Sequence, residues 1–481
     1  MHVKDTIVES GGASLSDAPA ERISALVARA RAAQQAFEFA GQQTLDTAAA
    51  AAAWAIMEPA RNRELAEQAV RDTGLGNVED KFRKNYRKTL GLLRDLHGRK
   101  TCGVIARDEA TGIVEIARAV GVVAAITPST NPAATPANKI INALKCGNAV
   151  IVAPSPKGYG ACETLIGFIH AQFAKAGLDP ALVQMLSAPV DKAATAALMR
   201  EADLVVATGS QANVRMAYTS GTPAFGVGAG NVASLVTSTA NLRDAAHKIA
   251  ASKTFDYATS CSSENSVVIE DAVYDAMLRE LAACGGVLLD ARQKSRLQAA
   301  MWTDGKLSAR CTAKSATQIA RTAGLDEVAT REPAFLMVEE SGFGASYPFS
   351  GEKLAPVLTV YRARDFDAAA DTVRSLYAYM GAGHSVGLHT GEPHEAVRLG
   401  STLPVARVIV NQAHCFATGG NFDNGLPFSL SMGCGTWGRN NFSDNLGFRQ
   451  YLNITRIAYP IAEQVPELDA LLGDYFRRFG Q

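Results

Sequence analysis

The chain contains 481 residues, of which 47% are hydrophobic, and its 47 Lys and Arg side chains balance its 47 Asp and Glu side chains. This length is too great for one hydrophobic core, and the apolar content is sufficient to fill two. The charge balance excludes the strongly basic surface that binds a nucleic-acid backbone or an anionic membrane. We therefore expect no nucleic-acid or membrane partner, and an anionic ligand has to be bound by local groups.

The N-terminal segment and the cysteines indicate the compartment. Residues 1–17 lack the apolar core of a signal peptide, and the longest apolar run, residues 48–57, is too short to cross a bilayer. The eight cysteines are scattered, with no Cys-x-x-Cys pair and no metal-ligand spacing with His. We therefore expect a cytoplasmic protein with reduced thiols and no metal.

Helices are predicted first along the chain, followed by a hairpin. Residues 20–99 are rich in Ala, Arg and Glu, with apolar residues at helical spacing. From 100 to 120, two short β-prone runs flank a polar Asp-Glu-Ala-Thr-Gly turn, which predicts a hairpin. A hairpin with no partner in its own domain is typical of a subunit contact.

Short apolar runs then alternate with helical stretches. The first set of strand candidates is 120–126, 149–152, 182–186, 204–207 and 224–227. The second set is 266–269, 335–338, 356–361, 385–389 and 407–411. This alternation predicts an α/β fold with doubly wound parallel sheets, divided within the Gly-rich stretch 226–231. The irregular, Gly- and Asn-rich segment 413–445 is more typical of a functional loop than of an idle one.

Small and polar residues follow the strands of the first set, where open parallel sheets bind nucleotide-sized ligands. Ser210 fits either a pyrophosphate site or an ordinary helix N-cap, and the sequence leaves both open. Gly226, Gly228 and Gly230 resemble half of a dinucleotide fingerprint. Because they follow the fifth strand rather than the first, they favour a close backbone turn near the active centre.

Four segments, taken in chain order, resemble the aldehyde dehydrogenase superfamily: 127–132, 208–210, 260–264 and 352–357. Similarity extends over residues 40–460. The resemblance implies a Rossmann-like parallel-sheet cofactor domain, an α/β catalytic domain and a small oligomerisation hairpin. We accordingly predict a cofactor-binding domain over 1–227, a catalytic domain over 228–412, and a C-terminal segment over 413–481 that serves the substrate site and oligomerisation.

The resemblance also assigns the chemistry. It makes Cys261 the nucleophile, with the Asn131 side chain and the Cys261 backbone N–H as donors to the oxyanion. A cysteine is more often a small buried residue, but Cys261 differs in its polar Thr-Ser-Cys-Ser-Ser context just before a strand. NAD(P)+ is the implied cofactor. Its predicted binding residues are Thr127, Pro128, Ser155, Lys157, Thr208, Gly209, Ser210, Gly228 and Glu352.

Two departures from the hydrolytic branch of the superfamily are informative. Hydrolytic relatives carry a water-activating glutamate where this chain has Gly226. Without that base, the acyl-enzyme should wait for a stronger nucleophile such as the thiol of coenzyme A (CoA). Residues 153–156 lack the acidic group that grips an adenosine ribose, which leaves NADP open beside NAD.

Segments 226–231, 261–266 and 431–438 resemble the CoA-acylating branch. Segments 127–132, 139–144 and 411–424 are similar to acylating sulfoacetaldehyde dehydrogenases, with acylating succinate-semialdehyde dehydrogenases as near neighbours. The implied reaction converts a small anionic aldehyde to its acyl-CoA thioester. An anionic substrate needs cationic or amide partners, and the candidates are His414, Asn421 and Arg439.

Other interpretations stay open. The aldehyde could be succinate semialdehyde or acetaldehyde. The chain could be a reductase of acyl phosphates, or a catalytically silent homologue that retains the fold as a structural or ligand-binding protein. We interpret Glu264 and His384 as ordinary polar packing rather than as proton carriers.

Overall fold

The computed structural model describes the backbone of residues 17–228 and 230–481, and side-chain surroundings from residue 21 onward. The predicted absence of a signal peptide concerns residues that lie almost wholly outside this range. The helices are α1 Asp17–Phe37, α2 Gln42–Met57, α3 Pro59–Thr73, α4 Val78–Leu96, α5 Ala134–Lys145, α6 Tyr159–Ala176, α7 Lys192–Glu201, α8 Gln211–Tyr218, α9 Leu242–Thr254, α10 Tyr274–Ala283, α11 Ala291–Met301, α12 Ala316–Thr322, α13 Asp326–Ala329, α14 Phe366–Tyr379, α15 Pro393–Thr402, α16 His414–Ala417 and α17 Leu468–Phe479.

The strands are β1 Gly103–Asp108, β2 Ile113–Ala119, β3 Val122–Thr127, β4 Ala149–Pro154, β5 Val183–Met185, β6 Leu204–Thr208, β7 Ala224–Val227, β8 Val232–Val236, β9 Glu264–Glu270, β10 Gly286–Leu288, β11 Trp302–Thr303, β12 Lys306–Leu307, β13 Phe335–Glu339, β14 Val357–Ala363, β15 Val386–His389, β16 Val408–Val410 and β17 Leu452–Ala458. Within the described residues, no helix is both long and apolar enough to span a bilayer.

Two parallel sheets organise the chain, which confirms the predicted α/β class. The first sheet has the order β5-β4-β3-β6-β7, and every residue of β3 and β4 is buried. Strands β4 and β5 lie on one side of β3, and β6 and β7 lie on the other side. Because β3 and β6 are parallel neighbours, the loops that follow them lie side by side. The second sheet has the order β10-β13-β14-β9-β8-β15-β16.

Strand β8 was not predicted, because the Gly-rich stretch before it obscures where the strand begins. It lies between β9 and β15 in the second sheet, and all five of its residues are buried. The run Val-Ala-Ser-Leu-Val has the continuous apolar character of a strand buried on both faces. An apolar run of only five residues fits a buried helix segment as well as a buried strand, so its sequence alone does not identify β8.

The predicted hairpin is present as β1 and β2, and it has a partner that the sequence did not reveal. Strand β17 pairs antiparallel with β2, from Leu452 opposite Ala119 to Ala458 opposite Ile113. The result is a three-stranded sheet built from two distant parts of the chain. Its role in oligomerisation stays a prediction.

Helix α2 explains how the N-terminal helices attach to the first sheet. Its Ala-rich sequence lets neighbouring helices approach closely, and it packs against α5 and α6. Helix α4 contacts α2, α3 and α5, and it reaches the turn at residues 255–258 that precedes the nucleophile segment.

Arg407 holds the irregular C-terminal segment against the second sheet. Its buried guanidinium donates to the carbonyl oxygens of His384, Gly433 and Ser443 and to Oδ1 of Asn445, over 2.7–3.2 Å. A buried cation is tolerated when hydrogen bonds replace its lost hydration.

We expect Arg407→Met to lower the midpoint of thermal unfolding by about 5 °C or more, because it leaves several buried acceptors without a donor. Differential scanning calorimetry measures this change. Arg374→Met is the matched control, since Arg374 lies on the exposed side of α14 and pairs with Asp371 at the surface. Equal midpoints for both variants would contradict the proposed role of Arg407.

Candidate active site

A cavity of about 300 Å³ lies where the loops of the two sheets meet. Most of the predicted catalytic and cofactor residues line it: Pro128, Asn131, Thr208, Gly209, Ser210, Gly228, Cys261 and Glu352. Lys88, Thr135, His384 and Cys415 also line it and were not predicted to do so. The sheets thus bring the loops after β3 and β6 next to the nucleophile segment before β9.

The segment before Cys261 has an unusual backbone. Asp256, Tyr257 and Ala258 have φ angles of 50°, 51° and 58°, a left-handed conformation that non-glycine residues rarely adopt. Asp256 is fully buried and accepts from Lys81 at 3.0 Å and from Lys84 at 2.6 Å. Although burial opposes ionisation, the two lysines lower the pKa of Asp256. This ion cluster holds the turn that leads to the nucleophile.

Lys84 also contacts the predicted oxyanion donor. Its Nζ donates to Oδ1 of Asn131 at 2.8 Å. Because the amide oxygen is occupied in this way, the amide nitrogen of Asn131 is the end left to face a ligand. One ammonium group therefore links the nucleophile turn with the loop after β3.

His384 contacts the predicted nucleophile. Its Nε2 lies 3.4 Å from Sγ of Cys261, and its Nδ1 lies 2.7 Å from Oγ of Ser385. Burial lowers the pKa of His384 to about 3, with a further contribution from the positive charge of Arg407. The imidazole is therefore neutral at pH 7. If Ser385 accepts from Nδ1, then Nε2 is free to accept a proton from the thiol.

Burial has the opposite effect on the nucleophile. It raises the pKa of the Cys261 thiol to about 12, and the neighbouring Glu352 adds to the rise. Burial likewise raises the pKa of Glu352 to about 8. In the free protein at neutral pH, both groups therefore carry their protons.

Glycines near the nucleophile permit close backbone contacts. A Cβ at Gly230 would lie 2.2 Å from the carbonyl oxygen of Cys261. At Gly226, a Cβ would lie 2.7 Å from a methyl carbon of Val214, and the Gly226 backbone exchanges two hydrogen bonds with the Tyr218 hydroxyl. Val214 and Tyr218 therefore leave no space for a side chain at position 226, where hydrolytic relatives carry the water-activating glutamate.

The residues at the carboxyl ends of β3, β4 and β6 are among those predicted to bind the cofactor. Ser210 caps α8 by accepting from the Asn213 N–H, which is the ordinary capping interaction, while Gly209 has a φ of 156°. Among the described residues, the buried hydroxyls of Thr127 and Ser155 have no hydrogen-bond partner. Neither Thr127 nor Ser155 lines the cavity, so their predicted contact with the cofactor stays a prediction. Lys157 is exposed and lies outside the cavity lining.

The family-model comparison matches residues 2–286 to "Aldehyde dehydrogenase family". The chain is 74% identical to a sulfoacetaldehyde dehydrogenase (acylating) of Cupriavidus necator, over 96% of this chain and 94% of that protein. The chain belongs to the aldehyde dehydrogenase family. It is also 33% identical to a succinate-semialdehyde dehydrogenase (acetylating) of Clostridium kluyveri, over 94% and 99% of the two chains.

A solved acetylating aldehyde dehydrogenase from Geobacillus thermoglucosidasius superposes with a TM-score of 0.89 at 33% identity, and the match covers 94% of this chain and all of that one. The predicted membership of the aldehyde dehydrogenase family, and the fold that it implies, are thereby confirmed. The individual catalytic and cofactor-binding assignments stay predictions.

The three predicted substrate-anion residues lie in different places, and their role in binding a substrate stays a prediction. His414 is fully buried behind the nucleophile segment, with Nδ1 2.8 Å from the carbonyl oxygen of Ser262. Arg439 is exposed and lines a different cavity with Trp437. Asn421 accepts a hydrogen bond from Arg87 of α4. Local sequence could not reveal these separations, because the irregular segment folds back on three different surfaces.

The structure brings two groups of residues to this site that the sequence did not place there. His384 was interpreted as packing, although it contacts Cys261 from 123 positions away in the chain. The cations of α4 were not considered at all. A signal for them exists, since Lys81, Lys84 and Lys88 follow the i, i+3, i+7 spacing of one helix face, where apolar residues are expected.

The raised pKa of Cys261 predicts how the cofactor-free protein reacts with iodoacetamide. Because the thiol stays protonated, its thiolate fraction should rise about tenfold per pH unit between about pH 7 and 9. Mass spectrometry of the Cys261 peptide measures the alkylation rate, and Cys261→Ala identifies the background from other cysteines. A rate that levels off near neutral pH would show a lowered pKa instead.

Proposed function

We propose that this protein oxidises sulfoacetaldehyde to sulfoacetyl-CoA, using NAD(P)+ as oxidant and CoA as acyl acceptor. The observation that carries the proposal is the 74% identity to the acylating enzyme of Cupriavidus necator over 96% of the chain. The site supports it through a nucleophilic cysteine in contact with a neutral histidine, and through Gly226 at the position where a water-activating base would stand.

The first step is attack of Sγ of Cys261 on the aldehyde carbon. A carbon–sulfur bond forms, and the thiol proton passes to Nε2 of His384, 3.4 Å away. Because burial lowers the pKa of His384 to about 3, the imidazole passes this proton on to solvent, and it is the proton that the overall oxidation releases. The covalent intermediate separates oxidation of the aldehyde from transfer of the acyl group.

The Asn131 side chain stabilises the charge on the former aldehyde oxygen. Lys84 holds the amide oxygen, so the amide nitrogen is preorganised to donate to the oxyanion. The Cys261 backbone N–H is the second donor in this proposal. Preorganisation matters because a donor that must first reorient loses part of its stabilising effect.

NAD(P)+ supplies the hydride acceptor when it is bound. The residues that would hold it include Thr208, Gly209, Ser210, Gly228 and Glu352, which line the cavity, and Thr127 and Ser155, which lie outside its lining. Loss of hydride converts the intermediate to a thioester on Cys261. The choice between NAD+ and NADP+ is part of the proposal, and the exposed Lys157 is compatible with either.

CoA completes the reaction. Its thiol adds to the thioester carbon, the bond to Cys261 breaks, and acyl-CoA leaves while the cysteine regains its proton. Hydrolysis is slow because Gly226 provides no base to activate water. We further propose a cytoplasmic homodimer or homotetramer, joined through the sheet of β1, β2 and β17.

Product identity tests this function. We expect sulfoacetaldehyde, cofactor and CoA to give reduced cofactor and sulfoacetyl-CoA in equal amounts, measured by absorbance and mass spectrometry. Parallel assays contain succinate semialdehyde or acetaldehyde, and phosphate in place of CoA. Free sulfoacetate as the main product, an acyl phosphate, or a higher kcat/KM with another aldehyde would overturn the proposal.

Cys261→Ala should abolish CoA-dependent oxidation and the reverse reduction of acyl-CoA, because no thioester can form. Binding of cofactor, measured by calorimetry, should persist. Cys162→Ala is the matched control, since Cys162 is a buried cysteine in α6. Turnover by Cys261→Ala would exclude this residue as the nucleophile.

Asn131→Ala should lower the rate of hydride transfer by about two to three orders of magnitude, the usual effect of removing one oxyanion donor. Single-turnover absorbance measurements with saturating aldehyde isolate this step. Asn213→Ala serves as a control, because Asn213 lies on α8 outside the cavity lining. An unchanged single-turnover rate in Asn131→Ala would eliminate its proposed role.

A further inference from the structure

We infer that Lys88, supported by Arg87, binds the sulfonate of the aldehyde and sets the preference for an anionic substrate. This inference rests on the proposed function and names a specificity site within it. In sulfoacetaldehyde one carbon separates the sulfonate from the aldehyde group. The cation that pairs with it must therefore belong to the cavity that contains Cys261.

Lys88 meets that requirement. Among the described residues that line this cavity, it is the one Lys or Arg side chain, and His384 is neutral at pH 7. The adjoining cavity continues from it and is lined by Lys84, Arg87 and Lys88 as well as Asn131. The cations of α4 thus line the two cavities beside Asn131, the proposed oxyanion donor.

The charges on this face of α4 are not balanced by protein carboxylates. Lys81 and Lys84 share the single carboxylate of Asp256. Within residues 21–228 and 230–481, neither Arg87 nor Lys88 forms an ion pair with a carboxylate. A buried cation without a counter-ion is costly, and an anionic ligand removes that cost.

Both side chains have donors to spare. Lys88 donates two hydrogen bonds, to the carbonyl oxygens of Gly419 at 2.7 Å and Gly420 at 3.3 Å. An ammonium group has three donors, so one remains. Arg87 donates to Asn421 and retains further N–H groups. Three sulfonate oxygens can accept from several such donors at once.

Aromatic rings surround these cations and limit their access to water. The Arg87 guanidinium lies 5.3 Å from the ring centre of Phe416 and 5.6 Å from that of Phe428, and the Lys88 ammonium lies 5.3 Å from Phe428. Charge pairing is stronger where water is excluded. Burial, aided by the charge of Arg87, lowers the pKa of Lys88 to about 7, which a bound anion would raise.

The test compares kcat/KM for sulfoacetaldehyde with kcat/KM for acetaldehyde. The ratio should fall about 30-fold in Lys88→Met and about tenfold in Arg87→Met, mainly through KM for sulfoacetaldehyde, because a charge-assisted contact is lost. Lys88→Arg keeps the charge and should retain most of the ratio. Arg83→Met, on the exposed side of α4, should leave the ratio unchanged.

An unchanged ratio in Lys88→Met would overturn the inference. So would a raised KM for CoA in assays with acetaldehyde, since the cations would then serve CoA instead. If the melting temperature shows that Lys88→Met does not fold, the same ratio of kcat/KM values is compared between Arg87→Met and Lys88→Arg.

A binding measurement separates this inference from the proposed function. Isethionate is an unreactive alcohol analogue of sulfoacetaldehyde, and calorimetry should detect its binding to the wild-type protein but not to Lys88→Met. Binding without turnover of sulfoacetaldehyde would overturn the proposed function and support the anion site. Turnover of sulfoacetaldehyde, with isethionate binding that does not depend on Lys88, would support the proposed function and overturn the anion site.

Discussion

The active site depends on one buried ammonium group, that of Lys84. It pairs with Asp256 at 2.6 Å and donates to Asn131 at 2.8 Å, while Thr259 lies 3.2 Å away. Through these contacts a helix from the N-terminal layer holds the turn before the nucleophile and the loop after β3. The left-handed backbone at 256–258 is maintained because its first side chain is held by two lysines. The Thr259 hydroxyl also donates to Asp256 at 2.7 Å, and the Asp256 N–H donates to Asp80 at 2.8 Å, so several contacts together offset the cost of this backbone.

Low polarity is the second constraint on the site. The same burial that raises the pKa of Cys261 lowers that of His384, so both groups are neutral before substrate arrives. A neutral thiol beside a neutral imidazole avoids the cost of buried charge in the free protein. In the proposed reaction, charge develops only with substrate and cofactor in place, next to Asn131 as the proposed oxyanion donor. The cationic side chains of α4 lie beside the cavity that contains Cys261, and because burial lowers the pKa of Lys88 to about 7, a bound anion would favour its charged form.

Much of the fold could be predicted, because its information is local. A parallel strand buried on both faces appears as a short apolar run, and the runs at 149–152 and 204–207 correspond to β4 and β6. Strand β8 escaped because glycines precede it, and β17 because its pairing partner lies more than 330 residues away. The separation of His414 from Arg439 was equally hidden, since an irregular segment has no period from which its path can be inferred.

The sequence by itself predicted most strands of the two parallel sheets and, through family resemblance, the nucleophile segment and the lack of a water-activating base at Gly226. These features reside in a few consecutive residues, so local patterns and family resemblance are sufficient to find them. Only the tertiary structure decided that His384 contacts Cys261 across 123 positions and that Lys84 contacts Asp256 across 172. It also decided that a polar face of α4 turns inward rather than to solvent. The physical reason is that a buried cation is stable only where partners from distant segments converge on it, and that convergence is a property of packing rather than of sequence spacing.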